Sequence, residues 1–386
     1  MRFLAHPLWL AGFRPFFALV CLAGAVLPAL WIPMYAGWIE PPAGIAAVHW
    51  HAHEMFFGFG WAVLGGFLLT STKNWVGIRG YHGGALALPV AAWLFERAGM
   101  VWGAAWPPVL FLLSAYLFTV LIVAMLLTTL VRHRATDSYR DDNYVFFVIL
   151  PLLPVAKALM LDPAGFAAGS AMALALFRVA FLVMLERTLS QFMKGVFQVS
   201  ILRHPALDTV IKLLAIAMIA SPWMPAGAAA LAGILLALLL ALRFVFWKPL
   251  VALRRLDVGI MHLGYLAIVV QLLLDAASHV GALAWVGAFS VHVFTFGAMG
   301  FIVPAMLVRI SKGHTGRKVV FETADRFVLW LMIAAFLLRV AAPQLFPQAY
   351  LHWIAAAAAC WCAGFAILGW RYIPFLLRPR VDGKEH

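Results

Sequence analysis

The densest run of ligand-type side chains is His49-Trp50-His51-Ala52-His53-Glu54. An α-helix advances about 100° per residue, so His49 and His53 share one face, with Gly60 continuing it. His51 points roughly 160° away from His53, so a regular helix cannot bring all three to one ion. Two imidazoles four residues apart suit one metal, and glycine below them gives room for a flat macrocycle. Glu54, Gly58, Trp61 and Gly65 form a neighbouring face that carries a small-residue stripe. The plainer reading is a row of interfacial histidines bonded to loops and headgroups.

Gln271, Asp275 and His279 follow at four-residue intervals and stack on one helix side. A carboxylate beside a histidine fixes its tautomer and raises its basicity, although such a trio also serves as polar glue between helices. His262 lies about 26 Å from His279 along the same helix, too far to share a centre. His292, Thr295 and Met299 share a face of a further helix, where Gly297 and Gly300 let another helix or a ring approach. Arg178 and Arg339 fall inside apolar runs. Either suits Asp275, Glu54 or an acidic ligand group such as a haem propionate, or makes a structural ion pair. Gly313-His314-Thr315-Gly316-Arg317-Lys318 is a basic turn able to hold a phosphate or propionate, or simply to face solvent.

The elements that must position these residues are transmembrane. The chain has 386 residues, 65% hydrophobic and 11% charged, against about 25% charged in soluble domains. Apolar runs near 15–36, 50–71, 84–104, 109–131, 143–161 and 166–185 each approach the ~20 residues a bilayer requires. Six more lie near 207–223, 227–247, 259–280, 284–308, 327–343 and 348–370. The expectation is an all-α protein of about twelve transmembrane helices, residues 1–386 forming one helical domain without a sizeable soluble part.

Of the 28 Lys and Arg, all but Arg97, Lys157, Arg178 and Arg339 fall on the side of the termini. The positive-inside rule then makes both termini cytoplasmic and explains the +13 charge without nucleic acid. The first helix reads as uncleaved. Cys21, Cys360 and Cys362 lie in apolar runs and form no metal or disulfide pattern. On this orientation His49, His51, His53, His279, His292 and His352 form an outer layer of candidate metal ligands. His262 and His314 belong to an inner layer. A twelve-helix transporter is the competing class, but no internal repeat is evident and the outer histidine cluster suits alternating access poorly.

Several stretches together resemble the NnrS family of bacterial membrane proteins. They are Gly12-Phe13-Arg14-Pro15-Phe16-Phe17, Trp50-His51-Ala52-His53-Glu54-Met55, Gly66-Phe67-Leu68-Leu69-Thr70, Asn74-Trp75, His262-Leu263-Gly264-Tyr265, His292 through Gly300, and Gly313 through Arg317. Where the family pattern has Arg followed by a Pro-Phe-Phe-Thr-like run, this chain has Arg187-Thr188-Leu189-Ser190-Gln191-Phe192. The resemblance implies an inner-membrane protein with haem b and copper, handling nitric oxide under nitrosative stress. Reduction of NO to N₂O is the expected activity; non-catalytic NO or copper binding or sensing is the alternative. His53 or His292 would be the axial haem ligand, with His262, His314, Arg178 and Arg317 as further cofactor contacts. Copper would fall to the remaining outer histidines, and Glu54 or Asp275 would deliver protons. Electrons would come from a quinol or a periplasmic cytochrome.

Overall fold

The computed structural model describes residues 3–281 and 285–384. Twelve helices there are long and apolar enough to cross a membrane. They are α1 (Phe13–Tyr35), α2 (Ala47–Val76), α3 (Gly84–Ala105), α4 (Pro108–Arg132), α5 (Tyr144–Leu161) and α6 (Phe166–Phe197). Then follow α7 (Pro205–Trp223), α8 (Ala226–Phe246), α9 (Leu256–Val280), α10 (Phe289–Gly313), α11 (Thr323–Leu345) and α12 (Pro347–Leu376). No strand occurs among the described residues. The helical class and the twelve spans stand as expected. The predicted start of the tenth span, residue 284, lies outside the described residues.

The main departure is at helix ends. α10 and α12 run to Gly313 and Leu376, past the predicted 308 and 370. Apolar length marks where a helix leaves hydrocarbon, whereas backbone hydrogen bonding continues into polar sequence. Four spans have the most enclosed apolar stretches: α2, 83% buried there, α6, 78%, and α9 and α10, 72% each. These four carry His53, Arg178, Gln271 and His292, so the candidate residues sit on the most enclosed helices.

The chain forms two compact units. Unit 1 comprises Met1–Gly169, Leu307–Val320 and Phe365–His386; unit 2 comprises Ser170–Met306 and Phe321–Gly364. In unit 1, α1 packs on α2, α3 on α4, and α4 on α5. Small residues bring the backbones together: a Cβ on Gly66 would lie 2.5 Å from Phe16 Cβ. The Phe13 amide donates to Thr70 Oγ1 at 2.8 Å, and the Thr70 hydroxyl donates to Gly66 O at 2.8 Å. Arg14, fully buried, donates through Nη1 to Leu376 O and Arg378 O, each at 2.7 Å. That guanidinium satisfies carbonyls that the end of α12 would otherwise leave open. Val381 N–H donates to Thr315 O at 3.1 Å, across a turn where Gly316 holds φ +81°. His314 lies beside Phe13, ring centroids 5.4 Å apart. Three sequence motifs, around Arg14, Thr70 and His314, thus interlock.

In unit 2, α9 packs on α8 and α10, and α11 on α10. The extended end of α6 is fastened by charge. Buried Glu186 pairs with Arg203, with Lys212 at 3.2 Å and with Arg243 at 3.2 Å. Arg243 also reaches Asp208 Oδ1 at 3.3 Å and Tyr265 Oη at 3.0 Å.

Candidate functional site

The backbone of α2 changes pitch at the histidine motif. Residues Ala47–His53 are α-helical, and Glu54–Gly60 form a π-helical stretch before the α-helix resumes. A wider turn releases backbone carbonyls, and such turns recur at functional sites. Here Trp93 Nε1 of α3 donates to Gly58 O at 2.8 Å. A Cβ on Gly58 would lie 2.2 Å from Arg97 Nη1, so glycine is what admits that guanidinium. Arg97 and Trp93 therefore occupy the space beside Gly58.

Around this turn unit 1 gathers five ionisable side chains. His53 Nδ1–H donates to Glu54 Oε1 at 3.1 Å; the carboxylate can only accept, so Nδ1 carries the proton. His53 Nε2 lies 3.5 Å from Glu96 Oε1 but makes no aligned hydrogen bond. Arg97 rests against both carboxylates, Nε 3.0 Å from Glu54 Oε2 and Nη2 2.9 Å from Glu96 Oε1. These contacts are ion pairs without hydrogen-bond alignment. Lys157 of α5 donates to Glu96 Oε1, and to Thr119 Oγ1 of α4 at 3.1 Å. Its ammonium sits 5.1 Å from the Phe57 ring centroid. His53, Glu54, Glu96 and Lys157 are at most 1% exposed. Two carboxyl groups thus face two basic groups, an arrangement in which charge can be balanced that burial would otherwise make prohibitive.

The network borders a cavity of about 220 Å³ lined by His49, His53, Gly99, Met100, Phe111 and Met160 among others. His49 stacks on Phe166, centroids 3.7 Å apart. His51, as its opposite facing requires, stacks instead on Trp31 at 4.1 Å. The arrangement can hold a small ligand or ion between two imidazoles and connect it to a chain of proton-exchanging groups.

The other candidates lie apart from this cavity's lining. In unit 2, Arg178 donates to Gln271 Oε1 at 2.9 Å, and Gln271 donates to Ser290 Oγ at 3.3 Å. Asp275 is near enough for its charge to act on Arg178. His279, exposed, donates through Nδ1 to Asp275 O at 2.7 Å, so the backbone and not the carboxylate sets its tautomer. His352 is exposed. His292 is half-buried, and its Nδ1–H donates to Ala288 O at 2.6 Å. It opens a second π-helical stretch, Val293–Met299. Gly297 and Gly300 accommodate Ala267, Phe336 and the Trp361 ring. His262 is wedged between Val258 O and Trp247 O, both 3.3 Å away. In unit 1, Arg317 lies over the Phe375 ring at 4.0 Å. Among the described residues, no three His, Cys, Asp or Glu side chains are grouped to hold a metal.

The sequence reading omitted Glu96, Arg97, Lys157 and Thr119 from the site, although two of them had a signal. Arg97 and Lys157 are basic residues that the sequence reading put on the side away from the termini, where the charge bias disfavours them. Their burial beside Glu96 explains the exception.

A second signal is the His-x-x-x-Phe-Gly pattern, present as His53…Phe57-Gly58 and His292…Phe296-Gly297. No curated protein matches the sequence. The NnrS protein family matches it over residues 7–380, nearly its whole length. With the twelve spans and the motif-bearing turns, that match makes the chain a multi-pass membrane protein of the NnrS family, a bacterial membrane family associated with nitric oxide metabolism.

Proposed function

We propose that the chain is a haem–copper membrane protein that reduces nitric oxide to N₂O, with the cavity beside His49 and His53 as its NO-handling site. The observation that carries this is His53 itself: buried, its Nδ1 proton given to Glu54, its Nε2 left without a hydrogen bond beside a cavity. A carboxylate behind an imidazole is the support a metal-ligating histidine uses. His49 and His53 therefore fit one copper ion, which when bound would supply one-electron redox chemistry and bind NO. A porphyrin does not fit this cavity, since sites for large cofactors start at about 300 Å³. Haem b is assigned instead to His292, whose bond to Ala288 O leaves Nε2 as its basic nitrogen.

The overall change, 2 NO + 2 H⁺ + 2 e⁻ → N₂O + H₂O, consumes protons inside a low-dielectric interior. Glu54 and Glu96 flank His53 and are the groups that hold and pass them, while Arg97 pairs with both carboxylates and Lys157 with Glu96. Asp275 and Arg178 are assigned to the haem side, and His51, His262, His279 and His352 drop from the ligand set on their observed partners or exposure. Both termini are taken as cytoplasmic, which places the protein in the inner membrane with His53 towards the outer face. A quinol or a periplasmic cytochrome would deliver electrons.

The test uses purified full-length chain: metal analysis, an optical spectrum, and N₂O measured from NO after reduction. The reading requires copper that is lost in His49→Ala and His53→Ala while the fold persists. Wild-type copper content in both variants would overturn the copper assignment. Full cofactor loading with NO binding but no N₂O would leave the non-catalytic role.

A further inference from the structure

The end of unit 1 where Arg14 ties α1 to α12 concentrates cations. Arg14 is fully buried and Lys312 nearly so, while Lys73, His314, Arg317 and Arg380 are half-buried. Asp382 neutralises one of them, Arg380, through contacts of 2.9 and 2.6 Å. Lys73 has no ion-pair partner among the described residues. The charges of Arg380 and Arg317 both act on Arg14. Burial, with the charges of Lys73 and Arg380, pushes the His314 imidazole down to about 4. Burial and Arg378 also lower Arg317. An excess of like charge in a partly dry setting is stabilised by an anion that enters it.

The details favour a particular anion. Arg317 Cζ lies 4.0 Å from the Phe375 ring centroid and Nη1 donates to Thr315 O at 3.5 Å, which holds the guanidinium in place and leaves its Nε and Nη2 donors for an anion. Arg380 is oriented by its bond to His314 O at 3.2 Å. The Ser311 hydroxyl, fully buried one turn before Thr315, lacks a hydrogen-bond partner. Apolar side chains stand exposed beside Arg378 and Arg380, Val381 at 60% and Leu377 at 39%, and on the N-terminal stretch ahead of Arg14, Phe3 at 68% and Leu4 at 45%. Phosphate-matching cations next to exposed apolar surface describe an amphiphile, not a soluble ion.

We propose that Lys73, Arg317 and Arg380 bind the phosphate of an acidic phospholipid, with Phe3, Leu4, Leu377 and Val381 against its acyl chains. The inference stands apart from the nitric oxide reading. The full chain is reconstituted in nanodiscs of phosphatidylcholine, with or without phosphatidylglycerol, and read by native mass spectrometry and thermal unfolding. The wild type retains phosphatidylglycerol several-fold over phosphatidylcholine and unfolds at a higher temperature with it. The double variant Lys73→Gln/Arg317→Gln, shown folded by circular dichroism, loses both effects. Arg140→Gln/Arg254→Gln, with the same charge change elsewhere, keeps them. Equal lipid retention by the two double variants overturns the proposal. It also fails if inorganic phosphate in pure phosphatidylcholine discs gives the full protection, which assigns the site to a free anion. Loss of haem with unchanged lipid retention in Arg317→Gln overturns it as well, in favour of a propionate site.

Discussion

His53 and His292 each end a short α-helical stretch, each open a seven-residue π-helical stretch, and each are followed at the fourth and fifth positions by Phe-Gly. Their surroundings differ. His53 is buried among Glu54, Glu96, Arg97 and Lys157, and a carboxylate holds its Nδ1 proton. His292 is half-buried, and a backbone carbonyl of its own helix holds that proton. Gly58 makes room for a guanidinium, Gly297 for the Cβ of Ala267. The same backbone device thus presents an imidazole in both places, and the neighbouring helices decide whether it joins a proton-exchanging network. A local pattern codes for the turn; the partners code for the chemistry.

The largest expected effect comes from breaking the charge balance that only the His53 region has. Glu96→Ala leaves Lys157 and Arg97 short of a buried partner and costs about 3–5 kcal/mol of stability. Asp275→Ala, at a half-buried carboxylate, costs under about 1 kcal/mol. Thermal unfolding in detergent compares them, and equal losses would erase the distinction between the two regions. Glu96→Leu combined with Lys157→Met recovers much of the stability, because an apolar pair replaces a buried ionic one.

Next in size is the division of cofactors. His53→Ala is expected to cut copper content more than tenfold with haem retained, and His292→Ala to do the reverse, both read by elemental analysis and absorption. One variant losing both cofactors would mean that the two turns serve a single centre. The paired glycine changes are subtler. Gly297→Ala drives a Cβ to 2.5 Å from Ala267 Cβ, where neither helix yields cheaply, and costs about 1–3 kcal/mol. Gly58→Ala meets the movable end of Arg97, so it lowers stability less and NO turnover more.

The smallest effect tests a region outside both turns. His314 titrates at about 4 in the folded chain, below the ~6.5 of an unfolded histidine. Between those values the unfolded state binds more protons, so stability is constant above pH 6.5 and falls as pH drops towards 4. His314→Gln should flatten that slope in unfolding midpoints measured from pH 7 to pH 5. An unchanged slope would assign it to other groups.

Much of this was legible in the sequence. Spans are written in apolar length, and every predicted span has its helix. His53 and Glu54 were legible because they are adjacent and polar inside an apolar run. Glu96 and Lys157 were not, since they stand 61 residues apart and meet only when α3 and α5 turn their polar sides towards α2. Periodicity reports a face, but not which face of which helix it meets. The π turn was hidden for a related reason. It adds a residue to the turn, so the 100° projection from His53 to Gly60 misplaces every side chain beyond Glu54.

The bond from Arg14 to Leu376 and Arg378 spans 362 and 364 positions of the chain. During synthesis the first helix therefore waits for the last one before these two bonds can form. Those acceptor carbonyls exist only once α12 has been made. The clamp is therefore among the last ties to close, and a chain stalled or cleaved before residue 376 lacks both of these bonds between its first and last helices.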